Sequence, residues 1–252
     1  VLFLLVLLLP QAEGMSPAAQ GVAAVTLLMA TWWISEAIPI AATALLPIVL
    51  FPLLGVMSTA QTTSSYANHL IYLFLGGFLI AMAMQKWNLH RRIALHTIRI
   101  VGLSPSRTVL GFMLSTAFLS MWISNTATAM MMLPIALAVI AGHDENGTPD
   151  KAFGVSLMLG IAYAASIGGV ATLIGTPPNA ILAGMLENTT GQTIGFAEWM
   201  GFALPLSLLM LAIAWFYLTQ LAYPGKKSGA VHTRELLREQ LRDLGPLGWE
   251  EK

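Results

Sequence analysis

Charge is what this sequence has least of. Lys, Arg, Asp and Glu make up 10% of its 252 residues against 56% hydrophobic, whereas soluble domains carry about 25% charged residues. The mean hydropathy of +0.74 points the same way, so the chain reads as an integral membrane protein. Its twelve basic and twelve acidic residues cancel to a formal net charge of zero, which removes the electrostatic case for nucleic acid binding. Cysteine is absent, so neither a disulfide framework nor a thiolate metal site can form within the chain. The five histidines (69, 90, 96, 143 and 232) share no ligand spacing, and no metal centre is expected from them. No basic region precedes the apolar run VLFLLVLLLP at 1–10. That run is half the length a membrane crossing needs, and it reads as the remainder of a first transmembrane helix rather than a signal peptide.

What the sequence has is long apolar segments, at roughly 1–10, 19–35, 40–55, 69–85, 108–139, 153–186 and 200–222. Breaks fall at Gln11–Pro17, Glu36–Pro39, Met57–Asn68, Gly142–Lys151 and Glu187–Gly195. No Lys or Arg precedes Lys86; five lie between Lys86 and Arg107, and six between Lys226 and Lys252, with Lys151 the twelfth. The excess of bases in cytoplasmic loops places 86–107, the 140–151 loop and the C-terminal tail inside.

This topology requires 108–139 to enter and leave on the same face. Its thirty-two residues suffice for two helical legs of about 15 residues, each ~22 Å long. The tip of that re-entrant hairpin falls near Ser124-Asn125-Thr126, three adjacent hydrogen-bonding side chains in an otherwise oily stretch. The segment 153–186 is too long for one crossing, at about 50 Å against a hydrocarbon core of ~30 Å. Gly175-Thr176-Pro177-Pro178-Asn179 should break it near Gly175, because proline lacks an N–H and disfavours helix in the residue before it. Broken backbone at membrane depth survives only when buried in protein or lining a cavity, and interrupted spans are the best sequence pointer to a transporter's binding site.

The chemistry follows from those two points. Free carbonyls and hydroxyls at a hairpin tip can coordinate a small cation such as sodium. The start of the outgoing leg presents unpaired N–H groups and a positive dipole end suited to a carboxylate. Ser, Asn and Thr favour helix N-caps. The plain alternatives are that Ser124-Asn125-Thr126 only glue helices together, that 175–179 is a simple kink, and that Gly168-Gly169 serve close helix contact rather than ion access. Glu36 reads as a turn residue rather than a proton carrier, and Met130-Met131-Met132 as packing. Asn146-Gly147-Thr148 and Asn188-Thr189-Thr190 match the glycosylation pattern by chance. An ion channel is a further alternative, whereas an intramembrane hydrolase would need a base that no span interior supplies.

Three blocks carry a resemblance. WWISEAIPIAATALLPIVLFPLLGV (32–56), MWISNTATAMMMLPIAL (121–137) and GGVATLIGTPPNAI (168–181) resemble the N-terminal half of the divalent anion:sodium symporter family, the INDY-type dicarboxylate and citrate carriers. The resemblance implies an all-α membrane protein, one half of an inverted-repeat, elevator-type transporter working as a homodimer in the plasma (inner) membrane. It implies scaffold helices plus an interfacial helix over 1–105, a transport region over 106–222, and a cytoplasmic linker over 223–252. KWNLHRRIALHTIRI (86–100) is similar to that interfacial helix, and its alternation of bases with Leu and Ile suits the membrane surface on its own terms. By resemblance, Ser120, Ser124, Asn125 and Gly175 surround a first sodium ion, while Asn125, Thr126, Thr176 and Pro177 meet a substrate carboxylate. The expected activity is sodium-coupled transport of di- or tricarboxylates (succinate, malate, fumarate or citrate class), with no other cofactor. Sodium-independent dicarboxylate exchange and an inactive half-protein are the alternatives. The family carries two repeats where this sequence has one, so the chain is expected to be a fragment holding the first sodium site and half the substrate site.

Overall fold

A computed structural model describes residues 2–11, 14–102, 104–142, 150–224, 241–242 and 244–245. The 143–149 loop, with its Asn146-Gly147-Thr148 pattern, and most of the 223–252 linker lie outside the described residues. Among the described residues every regular element is helical. The chain forms two compact units, Val1–Tyr72 and Leu73–Lys252.

In the first unit, α1 (Leu2–Leu8) packs against α2 (Pro17–Ser35). Ser16 caps α2 by accepting from the Ala19 N–H, and Pro17 occupies the first helical position, where its missing N–H is harmless. Glu36 ends the helix in the left-handed region at φ 49°, with its own N–H on the Trp32 carbonyl. It is a turn residue, as its place in the sequence suggested. After the 36–39 turn come α3 (Ile40–Ala44) and α4 (Leu46–Leu53), a jointed pair rather than one rod. The polar stretch 57–68 is not simply a break: α5 (Thr59–Tyr66) occupies it, started by a capping box between Ser58 and Gln61. That reciprocal cap satisfies two orphan N–H groups and makes a short polar helix where hydropathy shows only a gap. The Tyr66 hydroxyl ties its end to the Ala44 carbonyl at 2.7 Å.

From α6 (His69–Lys86) the chain enters α7 (Leu89–Val101), α8 (Pro105–Ser120), α9 (Asn125–Ala141), α10 (Lys151–Val170), α11 (Pro177–Thr190) and α12 (Phe196–Phe216), the last running into a π-helical turn, Tyr217–Ala222. Helix α8 packs against both α7 and α10 around Ile98, Phe112, Met113, Phe153 and Leu157, all essentially inaccessible. Glycines set the closest approaches. A Cβ on Gly111 would sit 2.8 Å from the Ile98 Cα, so α7 and α8 touch backbone to backbone there.

Four helical stretches are long and apolar enough to cross a membrane: Pro17–Ser35, Thr59–Lys86, Lys151–Val170 and Phe196–Ala222. Their outer faces are oily, with Leu79 60% and Ile213 58% exposed, as lipid-facing helices require. Helix α7 differs. It buries Ala94, Leu95 and Ile98, and also Arg92, whose guanidinium donates to the Leu244 and Gly245 carbonyls at 3.1 and 3.0 Å. One base of the expected surface series is therefore an internal tie between α7 and the tail.

Candidate functional site: the 121–124 turn and the 171–176 break

The segment 108–139 is not one rod. Helix α8 has 16 residues and α9 has 17, about 24 and 26 Å at 1.5 Å per residue, joined by the turn 121–124. Ser124 is the N-cap of α9: its hydroxyl accepts from the Ala127 N–H at 3.3 Å. The N–H groups of Asn125 and Thr126 lie ahead of the helical ladder and are orphaned by position. Ser124 and Thr126 are exposed and Asn125 is half-buried, so the tip presents donors and oxygens outward.

Below the tip the polarity reverses. Ser120 is fully buried, and its Oγ lies 2.7 Å from Asn125 Oδ1 and 2.7 Å from the Ala165 carbonyl. One hydroxyl proton serves only one of these acceptors at a time. Three oxygens thus converge with a single proton among them, an electron-rich cluster without a formal charge.

The long apolar segment 153–186 is interrupted as its glycines and prolines dictate. Helix α10 stops at Val170, residues 171–176 are unwound, and α11 starts at Pro177. A helix end leaves carbonyls without partners, and side chains supply them here. Asn179 Nδ2 donates to the Gly169 and Thr172 carbonyls at 2.8 and 2.7 Å, and Trp199 Nε1 donates to the Val170 carbonyl at 3.0 Å. Thr172 fastens the break to the tip: its hydroxyl donates to the Met121 carbonyl and accepts from the Gly175 N–H at 3.0 Å.

Close approach depends on three glycines. A Cβ on Gly168 would lie 2.2 Å from the Ala117 carbonyl oxygen, one on Gly169 would lie 2.3 Å from Asn125 Oδ1, and one on Gly175 would lie 2.4 Å from the Gly169 carbonyl oxygen. Gly168 therefore serves close helix contact, letting α8 and α10 touch, and Gly169 makes room for the Asn125 amide.

Of the expected site residues, Ser120, Asn125 and Gly175 come together through Gly169, and Ser124 caps the helix beside them. Thr126 stands on the first turn of α9. Thr176 and Pro177 stand at the start of α11, with Thr176 extended at φ −150° and its side chain making no cap. Among the described residues no hydrogen bond joins Thr126 to Thr176. Pro177 and Pro178 have no N–H to donate, so α11 offers an anion its dipole and the Thr176 hydroxyl, while α9 also offers free N–H groups. Thr172 escaped the sequence reading, while Asn179 and Gly169 were singled out there without a partner at the site. Asn179 carried a signal, as a polar residue directly after two prolines at a helix start. Thr172 carried none, since its partner Met121 is remote in sequence. Among the described residues no cluster of three His, Cys, Asp or Glu could hold a metal ion, so any cation here must rely on neutral oxygens.

The family model described as "Sodium:sulfate symporter transmembrane region" matches residues 1–252. Among curated proteins, the "Sodium-dependent dicarboxylate transporter SdcS" of Staphylococcus saprophyticus is 44% identical over 258 residues, covering 100% of this chain and 50% of its own. The protein of the same name from Staphylococcus aureus is 46% identical over 258 residues, with the same coverage. The chain thus spans about half the length of these relatives.

Proposed function

From the premise that this chain belongs to the sodium:sulfate symporter family, we propose that it forms one half of a carrier coupling sodium to di- or tricarboxylate transport. The single observation that carries the reading is the Ser120 hydroxyl, shared at 2.7 Å between Asn125 Oδ1 and the Ala165 carbonyl directly beneath a helix N-terminus. A cation suits the oxygen cluster, because it relieves the competition of two acceptors for one proton. An anion suits the orphan N–H groups just above it.

In this reading Ser120, Ser124, Asn125 and the Gly175 backbone hold sodium. Asn125 and Thr126 donate to a substrate carboxylate, with Thr176 and Pro177 beside them. Helices α8 and α9 form a hairpin that dips into the membrane from the cytoplasmic face, and residues 106–222 move as a unit against a scaffold of 1–105. The assembled protein is a homodimer in the inner membrane with its C-terminal segment cytoplasmic, and this chain supplies half of the substrate site. The bias of bases toward 86–107 and the tail supports that orientation.

The charge inventory adds a requirement. No Lys or Arg occurs from 108 to 150 or from 152 to 225, so a doubly negative substrate meets no fixed cation at the tip or the break. Helix N-termini and bound sodium must supply the attraction, and the coupling between sodium and substrate is reciprocal. Uptake of labelled succinate by the full-length protein in proteoliposomes should therefore collapse when choline replaces sodium. Asn125→Ala should lower sodium-driven uptake at least tenfold, since it removes an interaction worth roughly 1.5–3 kcal/mol for a hydrogen bond to a charged group. Unchanged succinate counterflow in choline would instead identify an exchanger that needs no sodium. Excess sulfate should compete weakly if carboxylate geometry is read, and fully if any divalent anion is accepted.

A further inference from the structure

Among the described residues, no carboxylate pairs with the bases at the C-terminal end of α7. Arg99 lies in its last turn and is exposed. Gly102 follows as the C-cap at φ 120°, a conformation that favours glycine. Arg107, reaching back from α8, lies across it: a Cβ on Gly102 would be 3.0 Å from Arg107 Cδ and 3.6 Å from a guanidinium nitrogen. The two arginines thus flank one short turn, with Ile100 next to Arg99 82% exposed.

The helix dipoles explain only one of them. A cation in the last turn of a helix is favourable, which accounts for Arg99; a cation in the first turn is not, and Arg107 is in the first turn of α8. Neither arginine forms an ion pair with a carboxylate among the described residues, and the sequence contains no Asp or Glu between Glu36 and Asp144. At the other end of α7, about 20 Å away for 13 residues, Lys86 stands 5.5 Å from the Trp87 ring centre, and Trp87 is 42% exposed. An amphipathic helix with a Lys–Trp pair at one end and two arginines around an exposed isoleucine at the other fits an interface of anionic headgroups over acyl chains.

We propose that the α7–α8 turn, through Arg99 and Arg107 with Ile100 set beside them, is a binding site for acidic phospholipid headgroups. It lies outside the tip and the break and stands independently of the transported substrate. Near an anionic surface each base contributes about fivefold in affinity, so the pair contributes roughly thirtyfold. The test is native mass spectrometry of the purified full-length protein titrated with phosphatidylglycerol, phosphatidylcholine or inorganic phosphate. Wild type should retain phosphatidylglycerol preferentially. Arg99→Gln with Arg107→Gln should lose about thirtyfold of that affinity, while Arg99→Lys with Arg107→Lys keeps most of it at the same melting temperature. Equal retention of the two lipids by wild type, or undiminished phosphatidylglycerol binding by the glutamine variant, would overturn the assignment. So would full competition by inorganic phosphate, which would make the site one for a free anion.

Discussion

Asn179→Asp is expected to lower the melting temperature of the detergent-solubilised protein by about 10 °C. The native amide donates to two carbonyls at 2.8 and 2.7 Å, and the residue is 6% exposed. The carboxylate keeps the shape and removes both donors, setting a buried negative charge against two carbonyl oxygens. Each buried group left unsatisfied costs about 1–3 kcal/mol, and a loss of 3–4 kcal/mol corresponds to roughly 10 °C for a protein of this size. Asn179→Ala lacks the added charge and should fall less. The loosening should be local, because the Trp199 tie to Val170 and the Thr172 fastening to Met121 remain. Protection of the 169–179 amides from hydrogen exchange should drop before that of the α8–α10 core. An unchanged melting temperature would show that the break is held without the Asn179 amide.

Gly169→Ala and Gly168→Ala should separate function from packing. At Gly169 the new methyl meets the end of the Asn125 side chain, 2.3 Å from Oδ1. That amide can swing away, so the protein should fold, but Asn125 would leave Ser120. Loss of about 2 kcal/mol of ligand interaction is a roughly thirtyfold fall in sodium-driven uptake. At Gly168 the methyl meets backbone, 2.2 Å from the Ala117 oxygen and 2.5 Å from its Cα. No side chain can yield there, so α8 and α10 must part, at about 1–3 kcal/mol of stability. Melting temperature and uptake measured side by side decide. A Gly169→Ala protein with wild-type uptake would dissociate Asn125 from the site.

The features of the site that could be seen in the sequence were those written in local chemistry. Three polar residues inside an apolar run announced the turn at 121–124, and a glycine followed by two prolines announced the break at 171–176, because backbone rules act within a few residues. The fasteners were not visible. Thr172 reaches Met121 and Ser120 reaches the Ala165 carbonyl, pairings that exist only once α8 and α10 have packed. Helix α5 was missed for another reason: hydropathy registers its polarity, whereas its start is encoded in the Ser58–Gln61 cap. Arg92 shows the limit of reading charge as exposure. Its neighbours along the helix, Leu95 and Ile98, are buried, and it goes in with them because two tail carbonyls receive its guanidinium. The blocks at 32–56, 121–137 and 168–181 carried the family; no physical rule applied to this site alone would have named a substrate.

The sharpest test is whether sodium and a dicarboxylate together occupy the tip. These 252 residues contain no cysteine, so among them a thiol placed by Ala127→Cys, beside the half-buried Asn125, reports on the tip alone. Its labelling by a membrane-impermeant maleimide should slow about tenfold when sodium and succinate are both present, and much less with either one alone. Labelling at one rate in all four conditions, from a variant that still takes up succinate, would place the substrate elsewhere and contradict the site.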